Sequence, residues 1–388
     1  LQKFTALFFF LFLNEITKEE NKMLVARLSF RALGFISVIQ FVTERVNTFK
    51  YISSSEALKR GEIIVTEVNS SGSVNDLRIE NKSNSFVFFS DGDLLQGAKQ
   101  NRVLNTSVLV MPHTKIIVPV SCVEAGRWRY TSMDFQDSGY SAPHTLRQAI
   151  HEDVFSNLRL SKQHRSDQSR VWNQVSMMER FHNESSPSSD MLNTYEKKRN
   201  VFDKNLNDIF PEAGMNSVAI FKGRKLASVE SFNSSDIYEE YFPKLIRAAM
   251  MDMDYVEDGS GIDEQSAISE LENFAESLKQ LSFEKHKAIA AGDERRFRNE
   301  ELSCFELNYD GNQIHFAALM NTEESRDLIY RDSRGMLVIN FGDFKGRRFR
   351  DILRRDYDYA LRIMMDQELA ESMKRELFEE ALRFGVDH

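Results

Sequence analysis

An α+β fold, a mainly antiparallel β core with helical insertions followed by a small C-terminal strand-turn-helix-helix module, is what this sequence predicts, on three observations. Short apolar runs alternate with turn clusters between residues 63 and 120. From about residue 145 the apolar positions recur at three- and four-residue intervals. Two hairpin signatures then bring strands back before the C-terminal module. Period-two runs bounded by turn residues read as strands, and the 3.6-residue period reads as helix.

Taken in order, Ser53-x-x-Glu56 is a capping box, and Gly61 suits the left-handed residue that ends a short helix. Strands are expected at 63–68, 77–80, 86–89, 103–110 and 115–120, with turns at 70–73, 81–85 and 111–114. Helices follow at 145–160, 169–182 and 190–208, with a Ser-rich loop around Pro187. A hairpin is read at 217–229 around Lys222-Gly223-Arg224, then a helix at 235–252 that ends in methionines. An acidic Gly/Ser segment at 254–265 precedes a helix at 266–281. The second hairpin, 304–317, turns at Tyr309-Asp310-Gly311-Asn312. The domain reading is an N-terminal extension at 1–45, a main domain at 46–320, a charged linker at 321–334 and a module at 335–388.

Residues 4–13 are apolar but fall short of the about 20 residues that span a bilayer. No small-x-small cleavage site follows, so residues 1–22 read as upstream sequence rather than a targeting signal. Residues 24–45 read as an amphipathic helix or strand feeding the core, or as an Arg-rich presequence.

The net charge of −9 argues against a protein that wraps nucleic acid over its whole surface, so any such contact must use a local basic patch. Two distant cysteines, Cys122 and Cys304, make neither a disulfide framework nor a zinc site and fit a reducing, cytoplasmic compartment.

Polar groups gather where two expected strands end. One stretch runs from Ser90-Asp91-Gly92-Asp93 to Gly97-Ala98-Lys99-Gln100-Asn101-Arg102, the other from Pro119 through Ser121-Cys122-Val123-Glu124 to Gly126-Arg127-Trp128. Lys99 and Arg102 can hold phosphate or carboxylate, and Gln100 and Asn101 both donate and accept hydrogen bonds. Asp91, Asp93 and Glu124 offer general bases or ligands for a divalent cation, although no metal is assigned. Cys122 reads either as a nucleophile beside a cation or as a buried, inert thiol. Lys99–Arg102, if extended, alternates faces, and reads either as a ligand cradle or as a salt-bridged network. Trp128 reads as a core or lid aromatic or as a stacking platform.

These two motifs, with Ser55-Glu56-Ala57-Leu58 and Thr66-Glu67-Val68, resemble the ARG and rhodanese-phosphatase-superfamily-associated protein domain over about 51–318. That family is named for its neighbourhood with ADP-ribosylglycohydrolase-type and phosphatase-type proteins. The resemblance implies a link to NAD, ADP-ribose or nucleotide phosphate. On that reading Asp93, Lys99, Cys122 and Glu124 are the catalytic candidates, and Gln100, Asn101, Arg102, Arg127 and Trp128 hold the ligand. The residues name no cofactor.

Residues 335–383, with Gly342 and Gly346 in a tight turn, resemble the C-terminal domain of exodeoxyribonuclease ten-like proteins. Lys345, Arg347, Arg348, Arg350 and Arg354 concentrate positive charge there, and a helix over 347–355 would set Arg347, Arg350 and Arg354 on one face. That face reads as a DNA or RNA contact or as a solvated surface balanced by nearby aspartates. No exonuclease catalytic domain is recognisable. The competing functional readings are a ligand-processing or ligand-binding domain with a targeting tail, a non-enzymatic nucleic-acid accessory protein, and a scaffold in a stress or phage-conflict system.

Overall fold

The computed structural model describes residues 25–43, 49–69, 75–252, 261–321, 329–331, 336–339, 347–365 and 371–386. In chain order its first half contains β1 (Val25–Leu33), β2 (Ile36–Thr43), β3 (Tyr51–Ser53), α1 (Ser54–Lys59), β4 (Ile63–Glu67), β5 (Asp76–Asn81), β6 (Phe86–Phe89) and β7 (Asp93–Gly97). Next come β8 (Arg102–Leu104), β9 (Val108–Val110), β10 (Lys115–Cys122) and β11 (Phe135–Ser141), then α2 (His144–Ser161), α3 (Gln168–Phe181) and α4 (Met191–Leu206). The second half contains β12 (Ser217–Lys222), β13 (Lys225–Phe232), α5 (Ser235–Met251), α6 (Glu264–Leu278), β14 (Glu284–Lys287), β15 (Asp293–Arg298), β16 (Leu302–Tyr309) and β17 (Asn312–Met320). The tail holds β18 (Ile329–Arg331), β19 (Leu337–Ile339), β20 (Arg347–Arg348), α7 (Phe349–Arg355), α8 (Tyr357–Met364) and α9 (Glu371–Val386).

The α+β class holds. An eight-stranded antiparallel sheet runs β1-β2-β12-β13-β17-β16-β15-β14. A six-stranded sheet runs β11-β7-β8-β10-β5-β4, and a small third sheet, β3-β6-β9, contains a parallel pair, β3 with β6. The largest core joins strands of the sheets to α2–α5 through Val38, Leu94, Ile150, Val175, Tyr195, Ile246 and Phe305. α6 covers the other face of the large sheet, over Ile39, Phe41, Val229 and Phe316. Complete burial of such a side chain contributes about 1.5–3 kcal/mol, so this two-sided covering fixes the sheet.

Local chemistry sets several boundaries. Ser53 Oγ accepts the Glu56 amide proton at 3.0 Å, as the capping box requires, although the Glu56 side chain pairs with Arg60 instead of reaching back. In the β16–β17 hairpin, Asp310 and Gly311 both take positive φ (49° and 75°), the two-residue turn that matches strand twist.

Four sequence expectations change. Residues 25–43, placed in an N-terminal extension although also read as a helix or strand feeding the core, are two strands whose β2 pairs with β12, because its near-continuous apolar run is buried on both faces, Val38 in one core and Ile39 with Phe41 in the other. The run 103–110 breaks into β8 and β9 around Asn105-Thr106-Ser107, whose side chains are engaged elsewhere: Asn105 Nδ2 donates to the His164 carbonyl and Ser107 Oγ to Asp91. Lys99 and Gln100 lie in a bend and Arg102 opens β8, so Lys99–Arg102 is not one extended stretch. In the tail, Arg347 and Arg348 pair with β19, so α7 starts only at Phe349 and Arg347 is not on its face. The apolar run 4–13, Gly342, Lys345 and Gly346 lie outside the described residues. Among the described residues no helix is long and apolar enough to cross a membrane.

Candidate functional site

β7 and β8 are joined by a turn that ordinary side chains could not form. Gly97 has φ 136°, and a Cβ there would lie 2.6 Å from the Asp134 carbonyl; Ala98 follows at φ 41°. This reversal folds Lys99, Gln100 and Asn101 inward against the end of β10, and all three are buried. Gln100 Nε2 donates to the Glu124 carbonyl (2.8 Å), and Arg102 Nη1 donates to Gln100 Oε1 (3.1 Å). Asn101 Nδ2 donates to Asp190 at the start of α4 (3.0 Å). Arg102 also pairs with Glu67 at 3.6 Å, and burial lowers its pKa from the ordinary value.

Glu124 anchors the following loop. Its Oε1 accepts from Arg127 Nε (2.7 Å) and Ser188 Oγ (3.1 Å), and its Oε2 from Arg127 Nη2 (2.7 Å) and the Asn101 amide (3.1 Å). Four donors fill the acceptor capacity of a carboxylate, so Glu124 as placed here ties the loop to the β7–β8 turn. Arg127 continues to the Ala98 carbonyl (2.7 Å) and the Arg129 carbonyl (3.0 Å), closing the loop on the β7–β8 turn. Beyond it, Trp128 and Tyr130 stand 48% and 46% exposed. Lys99 Nζ lies 5.0 Å from the Trp128 ring centroid and 5.2 Å from that of Tyr130, within cation–π range.

Cys122 is sealed. It has no exposed surface, Gln168 holds its backbone amide and carbonyl at 2.8 Å each, and its Sγ lies 3.1 Å from the Glu124 carbonyl. Burial pushes the thiol up, against the pull of Arg102, which is opposite to what a thiolate nucleophile needs. Asp93 is elsewhere. It opens β7, about 13 Å from Gly97 at strand rise, and meets Lys244 (3.3 Å), Tyr241 Oη (2.9 Å) and the Ser90 amide (3.0 Å). Burial raises its pKa despite Lys244, while Lys244 also pairs with Asp137 at 2.8 Å. Lys99, Gln100, Asn101, Arg102, Cys122, Glu124, Arg127 and Trp128 therefore come together, and Asp93 does not join them.

Two buried charge networks were invisible to sequence spacing. In the first, Arg147 Nη2 and Nε lie 2.8 and 3.1 Å from Asp91 Oδ2, and the same guanidinium binds Glu230. His151 Nε2 is 2.7 Å from Asp91, while His315 bridges Ser107 Oγ (2.9 Å) and Glu230 (3.1 Å). Gly92 permits this packing, because a Cβ there would meet Arg147 Cδ at 2.6 Å. Burial raises the Asp91 and Glu230 carboxyl pKa values, but Arg147 and the histidines outweigh it and hold both below the ordinary range. Burial leaves His151 lowered in spite of Asp91. In the second network Glu294 meets His164 (2.7 Å) and Arg296 (3.1 Å); burial opposes, yet the Arg296 guanidinium and the hydrogen bond to His164 bring its pKa from 4.5 to about 2. The signal for these residues was a lone charge or histidine inside an apolar strand, as in Val229-Glu230-Ser231 and Ile314-His315-Phe316. Asp91, Asp93 and Glu124, left open as cation ligands, each face a different cationic side chain. Among the described residues no group of three or more His, Cys, Asp or Glu is arranged to hold a metal ion.

The model of the ARG and rhodanese-phosphatase-superfamily-associated protein domain matches residues 28–319, and the chain belongs to that family. The match begins within β1, ahead of the resemblance read from the motifs, and ends at β17, short of the C-terminal module. No curated protein and no solved structure shows significant similarity to the chain.

Proposed function

We propose that this member of the family binds a nucleotide-like phosphate compound, of the NAD or ADP-ribose class, where the β7–β8 turn meets the loop after β10. The observation that carries the reading is the ammonium of Lys99 set against two half-exposed aromatic rings, Trp128 and Tyr130. A base stacks on an exposed ring, and a phosphate takes a charge-assisted hydrogen bond from the lysine. Arg102 and Arg127, paired with Glu67 and Glu124, stand behind the lysine, and the Glu124 anchor holds the loop in place.

The test is a thermal-shift titration of the full chain with ADP-ribose, NAD and ATP. A ligand that binds only the folded protein raises the melting temperature by mass action. One of these is expected to do so saturably. Trp128→Ala should weaken it roughly 5- to 150-fold, the span of about 1–3 kcal/mol per stacked base. Lys99→Ala should weaken it about tenfold or more, the worth of a hydrogen bond to a charged group. Absence of a saturable shift, or equal shifts in wild type and both variants, sinks the proposal.

A second reading concerns the tail, where Arg347, Arg354, Arg355 and Tyr357 are each exposed, while Arg350 is occupied by Glu380 at 2.8 Å. We propose this surface as a nucleic-acid contact, in keeping with its exodeoxyribonuclease ten-like resemblance. Short DNA should bind with an affinity that falls steeply with salt and is lost on deleting residues 335–388. Binding that survives the deletion places the contact elsewhere.

A further inference from the structure

A cavity of about 50 Å³ lies among α2, α3, α4 and the end of α5, away from the site above. Its apolar walls are Leu146, Met177, Met178, Phe181, Met191 and Met251. Four of the chain's 15 methionines meet here, drawn from three helices. Met178, Met191 and Met251 are buried, whereas Met177 is half-buried at the rim. Unbranched thioethers adapt to a guest more readily than branched side chains, so methionine suits an adjustable pocket better than a rigid core.

One end of the cavity is polar. Asp252 accepts from Thr145 Oγ1 (2.9 Å) and the Thr145 amide (3.3 Å), and Lys222 Nζ lies 3.1 Å from the same carboxylate. That lysine balances the aspartate charge, so the end offers a neutral, hydrogen-bonding environment. Gln174, half-buried at the edge, brings an amide that both donates and accepts.

We infer that this cavity is a binding site for a small neutral molecule, or the neutral end of a longer one, with a short branched alkyl body and a hydroxyl or amide head. The size follows from the volume: one water needs about 10–15 Å³ in such a measure, so the space takes a group of roughly four heavy atoms. The charge follows from the Asp252–Lys222 pair, which leaves no net charge at this end to hold either a carboxylate or a cationic guest. The walls favour the alkyl part by apolar burial, and Gln174 with Thr145 serves the head.

The experiment uses the full chain with ¹³C-methyl-methionine and isobutanol as the probe. The ε-methyl resonances of Met177, Met178, Met191 and Met251 are expected to move saturably while the other methionines stay still. Gln174→Ala, a rim change that leaves the core intact, should weaken the probe about three- to tenfold. Met177→Phe should fill the mouth and weaken it more than tenfold, with an otherwise unchanged methyl spectrum confirming the fold. Shifts spread evenly over all methionines, no saturation, or tighter binding of isobutyrate than of isobutanol would each overturn the assignment. This site is independent of the proposed nucleotide site, so failure of either leaves the other standing.

Discussion

Replacing Arg147 by methionine should lower the unfolding free energy by about 3–5 kcal/mol, the cost of removing one partner from a buried ion network. Its guanidinium joins Asp91 to Glu230, and all three side chains are at most 3% exposed. Without it, two carboxylates face each other across His315 with little water to screen them. Urea unfolding at neutral pH measures the loss, and a change below about 1 kcal/mol would mean that relaxation or water replaces the arginine. A control separates charge from volume. Arg147→Lys keeps a cation but not the planar fork that reaches both carboxylates, so it should recover only part of the loss.

Acid should unfold the protein earlier than its size suggests. Glu294, with a pKa near 2 against an ordinary 4.5, and the lowered Asp91 and Glu230 all favour the charged form in the folded state. For carboxylates depressed on folding, the contribution is complete above the unfolded pKa and disappears as pH falls through the folded one. The window is therefore from about pH 4.5 down to about 2, and Glu294 alone contributes roughly 3 kcal/mol across it at about 1.36 kcal/mol per pH unit. Asp93 works in the opposite sense, because burial raises its pKa and makes its ionisation costly. Urea midpoints taken between pH 7 and 2.5 should fall steeply below 4.5, and Glu294→Gln should flatten that slope. A profile for this variant parallel to wild type would remove Glu294 as a source of the acid sensitivity.

Much of the fold could be read because its elements follow their periods. The apolar run 86–89 is β6 to the residue, and the helical spacing at 145–160, 169–182 and 190–208 returned as α2, α3 and α4. Strands that break the apolar rule were not legible. β14, Glu-Lys-His-Lys, is the charged edge of the large sheet, where exposure suits polar residues and discourages further strand addition. β15 alternates buried Glu294 and Arg296 with more exposed neighbours, which looks like a surface segment until the ion pairs are known. The site divides similarly. Gly97 to Arg102 and Glu124 to Trp128 were found because glycines and polar groups cluster in short stretches. Arg147, Glu230 and His315 were not, because Asp91 and His315 meet across more than 200 residues of chain. Spacing carries no information over such distances. The sequence offered no sign that Arg127, three residues after Glu124, would occupy both its oxygens.

The order of strands in the large sheet has a consequence during synthesis. β2 is made early, yet its partner β12 begins about 170 residues later. At roughly 5–20 residues per second, the β1–β2 hairpin waits about 9–35 s for the strand that completes its edge. Throughout that interval Ile39 and Phe41, which end fully buried, have neither α6 nor the rest of the sheet above them. A ribosome-associated holdase that binds exposed apolar strands would therefore find a target at residues 36–43 during this interval, and slowing translation beyond β2 should lower the yield of folded protein more than slowing it beyond β17.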